Sequence, residues 1–213
     1  MITEFIRPAD IEKRSMEIIE SEIGDMSAFS DHEKLIVKRC IHTTADFDYK
    51  KNLRFSPDAA EIGISALKNG AVIVTDTQMA MSGISKPACK SLGCEVYCFM
   101  SDPDAAERAK ERGVTRAVVC VDKAAEMFAD RQVIYAVGNA PTALMRLHER
   151  ITDGSFRPAL IIGVPVGFVN VVEAKELIMT ADVPYIVAAG RKGGSNVAAA
   201  IVNAMLYTLY ERP

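Results

Sequence analysis

Short apolar runs rich in β-branched residues alternate along this chain with segments of helical periodicity, and this alternation restricts the fold more than any other feature. Runs that are apolar on both sides are typical of a parallel sheet whose two faces are covered by helices. The pattern predicts strands at 71–75, 95–99, 133–137, 159–163 and 185–188, with 117–121 open between strand and helix. It predicts helices at 56–69, 102–112, 142–151, 171–181 and 195–210. We therefore expect an α/β fold with a doubly wound, mostly parallel sheet flanked by helices.

Local signals mark several helix ends, and the first 55 residues are expected to be largely helical. Ser56 followed by Pro57 predicts a helix start, and Gly70 predicts the stop of that helix before the next strand. A second helix is expected to open at Asp102 and to close at Gly113. The sequence contains no internal repeat, low-complexity tract or linker rich in Pro, Gly or Ser, which predicts a single domain over residues 1–213.

Composition argues against several classes of protein. The 213 residues are 49% hydrophobic and 25% charged, with a formal net charge of −3, which is typical of a soluble globular chain without a basic surface for nucleic acid. No apolar stretch reaches the roughly eighteen residues that a membrane helix needs, and residues 1–10 lack the apolar core of a signal peptide. We therefore expect a cytoplasmic protein without membrane contact. The five cysteines include no Cys-x-x-Cys pair, which predicts reduced, mostly buried thiols and no metal site.

The predicted loops at the carboxyl ends of the strands are rich in glycine, and ligands of parallel sheets collect at this edge. These loops lie at 76–86, 138–142, 163–168 and 190–195. In the last loop Arg191 and Lys192 lie between glycines at the start of a helix, where two cations oppose the helix dipole. An anionic ligand would compensate the two cations. Ordinary turn chemistry is the alternative interpretation of each loop.

The sequence lacks the motifs of several enzyme classes. No strand leads into Gly-x-Gly-x-x-Gly and no Gly-x-x-x-x-Gly-Lys-Ser/Thr occurs, so nucleotide binding has little support. The sequence contains no Gly-x-Ser-x-Gly motif, and no pair of carboxylates stands out at a spacing that suggests glycoside chemistry. His32 and His148 lie among charged residues and are expected to be solvated.

The third histidine, His42, is the strongest candidate for chemistry. Ser30 and Asp31 predict the start of a helix and the polar residues at 43–46 predict its end, so His42 is expected in the last turn. Arg39, three residues earlier, is a neighbour on the same side of that helix. The carbonyl groups at the helix end favour the imidazolium form whereas Arg39 opposes it, which would poise the ring to exchange a proton near neutrality. A satisfied histidine at an interface is the alternative.

Six ordered blocks of residues carry a resemblance to a known family. The blocks are Arg39-Cys40-Ile41-His42, Phe55-Ser56-Pro57-Asp58, 76–79 with Gly83, 138–144, 165–169 and 190–195. Over nearly its whole length the chain resembles the precorrin-8X methylmutase family, which includes the cobalt-precorrin-8 methylmutases. The resemblance implies a homodimer that binds a ring-contracted tetrapyrrole. It implies an isomerase that moves a methyl group from C-11 to C-12 of the ring, giving hydrogenobyrinic or cobyrinic acid.

The resemblance also implies the site residues. His42 matches the catalytic residue, as proton donor or hydrogen-bond donor to the ring, and no cofactor or protein-bound metal is implied. The expected substrate contacts are Ser15, Arg39, Arg116, Arg191 and Lys192, of which the last two are inferred to hold acetate and propionate carboxylates. The sequence leaves open whether the substrate contains cobalt. Two other classes also stay open, a non-catalytic tetrapyrrole carrier and a nucleotide or sugar-phosphate enzyme that uses the Gly-rich turns.

Overall fold

The computed structural model describes Arg7 and residues 10–211. Six strands in this part of the chain form one sheet: β1 Leu53–Phe55, β2 Val72–Thr75, β3 Glu95–Tyr97, β4 Val133–Val137, β5 Leu160–Gly163 and β6 Tyr185–Ala188. Their order across the sheet is β1-β6-β5-β4-β2-β3. Neighbouring strands are parallel except for β1, which is antiparallel to β6. The prediction of a mostly parallel sheet is confirmed.

Helices connect the strands and precede the sheet. Those of the described residues are α1 Ile11–Glu22, α2 Asp31–Thr44, α3 Tyr49–Asn52, α4 Ala59–Lys68, α5 Gln78–Gly83, α6 Lys86–Leu92, α7 Pro103–Arg112, α8 Arg116–Met127, α9 Pro141–Thr152, α10 Val171–Ile178 and α11 Ser195–Leu206. The segment 117–121, which the sequence leaves open between strand and helix, lies inside α8. α5 lies in a stretch predicted as a loop, where the Thr77 hydroxyl caps it by accepting a hydrogen bond from Ala80 N–H at 3.1 Å.

Both faces of the sheet are covered, because successive side chains of each strand point to opposite sides. On β4 the neighbours Ile134 and Tyr135 are both fully buried but belong to different cores. The core around Ile134 includes residues of α1, α2, α4 and α11, and the core around Tyr135 includes residues of α7, α8, α9 and α10. The doubly wound arrangement predicted from the sequence is therefore confirmed.

The strand β1 is an exception within the N-terminal segment, which is otherwise largely helical where the structure describes it. Leu53 lies opposite Ala188 and Phe55 opposite Ile186 in the antiparallel pairing. Only three residues take part, and the strand is set by its long-range partner rather than by a local pattern. No local pattern predicts such a strand.

The predicted helix start at Ser56 and Pro57 is wrong. The Ser56 hydroxyl accepts a hydrogen bond from Tyr185 N–H at 2.9 Å, so it is occupied at the end of the sheet. α4 begins at Ala59, after Asp58 in the left-handed conformation with φ 56. Pairing beside β6 thus overrides the local capping preference of Ser56. The other predicted helix is confirmed at both ends. α7 begins at Pro103 and ends before Gly113, which adopts the left-handed conformation with a φ of 64°.

All five cysteines are buried and unpaired, as the sequence predicted. Burial raises the pKa of Cys89 to about 11 and the pKa of Cys120 to about 12, so these thiols are protonated at neutral pH. Within the described residues, no helix combines the length and the apolar character needed to cross a membrane.

Candidate active site

The helix α2 places Arg39 and His42 as the sequence predicted. Ser30 begins it with a capping box, in which the Glu33 N–H donates to Ser30 Oγ at 3.3 Å and the Ser30 N–H donates to Glu33 Oε2 at 2.7 Å. The helix ends at Ala45, which adopts the left-handed conformation. His42 therefore lies in the last turn, half-buried.

His42 and Arg39 line one cavity of about 250 Å³ between α2, α5 and α11. The remaining lining residues are Thr43, Gly83, Asn196, Ala199, Ala200, Asn203 and Tyr207. Several of these side chains are small, which leaves the space beside the imidazole open. At Gly83 an added Cβ would lie 3.0 Å from the Ala199 Cβ, so α5 and α11 approach closely there.

Asn203 fixes the cavity wall by joining α11 to the end of α5. Its Nδ2 donates to the Gly83 carbonyl at 2.8 Å, and its Oδ1 accepts from Ser85 N–H at 2.8 Å. Both ends of the amide are thus used. The position of α5 relative to His42 is therefore set by a side chain that carries no recognisable motif in the sequence.

The imidazole of His42 is available to a ligand. Among the described residues, neither of its ring nitrogens has a hydrogen-bond partner, although the side chain is half-buried at the cavity wall. A polar ring in such a place gains free energy when a ligand supplies the missing partner. His42 can therefore donate to or accept from a molecule in the cavity without first breaking an internal contact.

Arg39 lies at the boundary between this cavity and a second cavity of about 330 Å³. The second cavity is lined by Met16, Leu35, Lys38, Arg39, Ala204, Tyr207 and Thr208, so the two cavities share Arg39 and Tyr207. The guanidinium carbon lies 5.3 Å from the centroid of the Tyr207 ring, and Nη1 donates to Glu12 Oε1 at 2.7 Å. Arg39 thus already holds one carboxylate of its own chain.

Ser15 lies on α1, half-buried, beside the helix turn that meets Arg39. Glu12, the partner of Arg39, precedes it by three residues, and Met16, which follows it, lines the second cavity. Positions three apart on a helix share a side. The structure therefore places Ser15 next to the second cavity rather than in the lining of the His42 cavity.

The loop 190–194 after β6, called the basic loop below, is attached to the end of α2. Lys192 Nζ donates to Asp46 Oδ2 at 2.5 Å and to Asp48 Oδ2 at 2.7 Å. These hydrogen bonds raise the pKa of Lys192 and lower the pKa of Asp46. The positive charge of Lys192 is thus balanced by carboxylates of the same chain. The sequence-based argument for an anionic ligand did not include these carboxylates.

Arg191 is differently placed. Its guanidinium carbon lies 5.4 Å from the centroid of the Phe168 ring, and Phe168 is 82% exposed. No ion pair of Arg191 occurs within residues 10–211. Its charge is therefore the one in the basic loop that an anionic group from outside can use directly.

Arg116 lies away from the other predicted residues. It is exposed at the start of α8, on the opposite face of the sheet from α2, and its Nη1 donates to the Met100 carbonyl at 3.2 Å. Met100 follows β3, the edge strand farthest from β1. The structure thus brings together His42 and Arg39, places Ser15 next to the second cavity, joins the basic loop to the end of α2, and leaves Arg116 apart.

Asp76 directly follows β2, at the carboxyl edge of the sheet. It is not among the site residues predicted from the sequence. Its side chain is fully buried and accepts hydrogen bonds from the amides of Gly138 at 2.7 Å, Asn139 at 2.8 Å and Ala140 at 2.7 Å. Burial raises the pKa of Asp76, and the three amide donors oppose that rise. An aspartate directly after a buried strand and opposite a Gly-Asn-Ala turn is the signal that could have found it.

The close approach of the loops depends on Gly138. A Cβ added there would lie 2.7 Å from Ser195 Cα at the start of α11. The Thr77 and Ser195 hydroxyl oxygens lie 2.7 Å apart at the same junction. Because Gly138 has no side chain, the backbone of the turn after β4 can pack directly against the start of α11.

Comparisons with known proteins agree with this geometry. The chain matches the family model for precorrin-8X methylmutase over residues 10–208. It is 45% identical over 203 residues to the cobalt-precorrin-8 methylmutase of Leptospira interrogans, covering 92% of each chain, and 45% identical over 210 residues to that of Salmonella typhimurium, covering 96% of this chain and 97% of the relative. The solved structure of precorrin-8X methyl mutase from Thermus thermophilus superposes with a TM-score of 0.85 at 42% identity, covering 92% of this chain and 96% of that chain. With the fold, the blocks of residues and these matches in agreement, the chain belongs to the precorrin-8X methylmutase family.

Proposed function

We propose that this protein is an isomerase of corrin-ring biosynthesis. Its substrate is precorrin-8 or the cobalt complex of precorrin-8, and its reaction moves a methyl group from C-11 to C-12 of the macrocycle. The products are hydrogenobyrinic or cobyrinic acid. The observation that carries the proposal is the half-buried His42 imidazole, which lines a cavity in a chain of this family and whose two ring nitrogens have no partner within the described part of the chain.

The chemistry needs little from the protein beyond a positioned donor. A 1,5-sigmatropic methyl shift requires no nucleophile and no electron carrier, only a macrocycle held in the right shape and protonation state. His42 donates a proton or a strong hydrogen bond to the ring system, which lowers the barrier electrostatically. If the natural substrate is the cobalt complex, the metal ion enters as part of the macrocycle and needs no ligand from the protein.

Cations around the cavity hold the acetate and propionate arms of the substrate. Arg39 exchanges Glu12 for one of these carboxylates, and Arg191 receives another at the edge of the sheet. Lys192 contributes while it remains bonded to Asp46 and Asp48. Ser15 and Arg116 are assigned to substrate binding from the family resemblance, Ser15 beside the second cavity and Arg116 at a more distant position.

A second copy of the chain completes the site. The two cavities are open, about 250 Å³ and about 330 Å³, and Met79, Val166, Phe168 and Val169 stand exposed among the loops of the carboxyl edge. A broad macrocycle needs more cover than one chain provides here. We propose a homodimer that acts in the cytoplasm without nucleic acid or membrane partners.

The test is the product of the reaction. The protein is incubated with the metal-free and the cobalt-bearing substrate in separate reactions, while the rise of the corrin absorption is followed and the methyl position is assigned by NMR. An isomerase returns the methyl group at C-12, and the faster of the two reactions identifies the natural form of the substrate. A carrier binds the pigment and returns the methyl group at C-11, and that result would overturn the proposal.

A further inference from the structure

A buried lysine lies behind the basic loop. Lys175, on α10, is 1% exposed and is the only cation among the buried polar side chains of the described residues. Its Nζ donates to the carbonyl oxygens of Gly190 and Lys192, each at 2.8 Å. Within the described chain no carboxylate pairs with it, and burial alone lowers its pKa to about 8. Burying an ammonium group without a carboxylate partner costs free energy of folding, so the presence of a lysine here needs a physical reason.

The reason lies in the backbone of the basic loop. Three consecutive carbonyls of this loop accept hydrogen bonds from other segments, those of Gly190 and Lys192 from Lys175, and that of Arg191 from the Gly167 N–H at 3.2 Å. The side chains of Arg191 and Lys192 are consequently carried on a fixed backbone. Fixed donors bind a ligand more tightly because less conformational entropy is lost on binding.

The rest of the loop is held in another way. At Gly193 an added Cβ would lie 2.1 Å from the Val164 carbonyl oxygen, and the Gly194 N–H donates to that same oxygen at 2.8 Å. Direct backbone contact with the end of β5 therefore fixes 193–194. Lys175 acts only on 190–192, which is the part that carries both cations.

We propose that Lys175 is a positioning residue that holds Arg191 and Lys192 in place for the carboxylate arms of the substrate. The proposal rests on the proposed function of the basic loop. Replacement by methionine keeps much of the side-chain volume but leaves the Gly190 and Lys192 carbonyls without their donor. Residues 190–192 then lose two of the hydrogen bonds that hold their backbone, while 193–194 stay fixed by Val164 and the contacts of His42 and Arg39 on α2 are unchanged.

The first measurement is hydrogen exchange in the free protein, because it does not depend on any ligand. In Lys175→Met the amide of Gly167, which is bonded to Arg191, should exchange roughly tenfold faster than in the wild type. The amide of Gly194 should keep its rate because Val164 holds it. Ile178→Val on the same helix is the matched control and should leave both rates unchanged. An unchanged Gly167 rate in Lys175→Met would overturn the proposal.

The second measurement is the dissociation constant of cobyrinic acid, followed by absorption, with single-turnover rates at saturating substrate. Lys175→Met should bind the product roughly tenfold more weakly while the saturated rate changes less than about threefold. Lys175→Gln, whose amide keeps uncharged N–H donors, should lie between. If Lys175→Met does not fold, Lys175→Gln carries both measurements. Faster exchange with unchanged product affinity would overturn the positioning role but leave the proposed function intact. Failure of the wild type itself to bind the product would instead count against the proposed function.

Discussion

At the scale of single residues, the His42 imidazole differs from the other two imidazoles of the chain. His32 Nδ1 lies 3.2 Å from Glu61 Oε1, and His148 Nε2 lies 3.2 Å from Thr180 Oγ1. Both of these rings are engaged by neighbouring side chains of the same chain. Among the residues that the structure describes, neither ring nitrogen of His42 has such a partner, and this difference makes a direct comparison of variants possible.

We expect His42→Ala to lower the single-turnover rate by at least about 100-fold, the lower end of what a general acid contributes. Product affinity should change only a few-fold, because the carboxylate contacts remain. His32→Ala is the matched control and should keep the wild-type rate. The measurement is rapid mixing with excess enzyme, and a near-normal rate for His42→Ala would refute the catalytic role.

Arg39 is expected to contribute binding rather than rate. Charge-assisted hydrogen bonds are worth roughly 1.5–3 kcal/mol, so Arg39→Ala should weaken product binding by about tenfold or more. Its affinity should also fall less steeply with salt, because one ionic contact is lost. Arg157→Ala, which removes an exposed partner of Asp182, is the control. A dissociation constant for Arg39→Ala equal to that of the wild type throughout a salt series would contradict this role.

Only part of the site could be predicted from the sequence. Arg39 and His42 are three positions apart on one helix, so their proximity follows from local geometry. Asn196, Asn203 and Tyr207 reach the same cavity only because α11 packs against α2. The partner of Lys192 was missed for the same reason, since Asp46 is 146 residues away in the sequence.

Among the helices and strands, those marked by local signals were predicted from the sequence, whereas those that depend on long-range contacts were not. α2 and α7 were predicted because the start signals at Ser30 and Asp31, the proline at 103 and the glycine at 113 act within a few residues. β1 and the true start of α4 were missed because pairing with β6 decides both. The basic loop also depends on a long-range contact, because Lys175 on α10 donates hydrogen bonds to its Gly190 and Lys192 carbonyls.

The contact between α10 and the basic loop should make stability depend on pH. Burial lowers the pKa of Lys175 to about 8 in the folded state, whereas the unfolded chain holds this proton up to a pKa of about 10.4. Between these values the unfolded state binds more protons, so the contribution of Lys175 to the free energy of unfolding rises with pH. We expect the wild type to gain about 2–3 kcal/mol relative to Lys175→Met between pH 7 and pH 10.

Urea denaturation of both proteins at a series of pH values measures this difference. Above pH 9 the buried thiols lower the free energy of unfolding, because they lose their protons in the unfolded state before the folded state. The thiols and the tyrosines titrate alike in both proteins, so their contribution cancels when the wild type is compared with Lys175→Met. Parallel stability curves for the two proteins would show that Lys175 does not titrate in this range.

At the scale of the whole molecule, the carboxyl edge of the sheet is the shared support of the site. Asp76 closes the turn after β4, Gly138 admits the start of α11, and Asn203 joins α11 to α5. Each contact links two elements that are distant in sequence. If the substrate binds at this edge, as we propose, its binding stabilises the folded chain as a unit, because the unfolded chain has no such site.

This linkage predicts which ligands raise the melting temperature. With free cobyrinic or hydrogenobyrinic acid at about 100 times its dissociation constant, the free energy of unfolding rises by about 2.7 kcal/mol. For a chain of this length each kcal/mol raises Tm by roughly 2–4 °C, so a shift of about 5–10 °C is expected. His42→Ala should show a similar shift, because binding does not require the proton donor. A shift with nucleotides or sugar phosphates and none with the corrinoids would contradict tetrapyrrole binding and favour a ligand held by the glycine-rich turns.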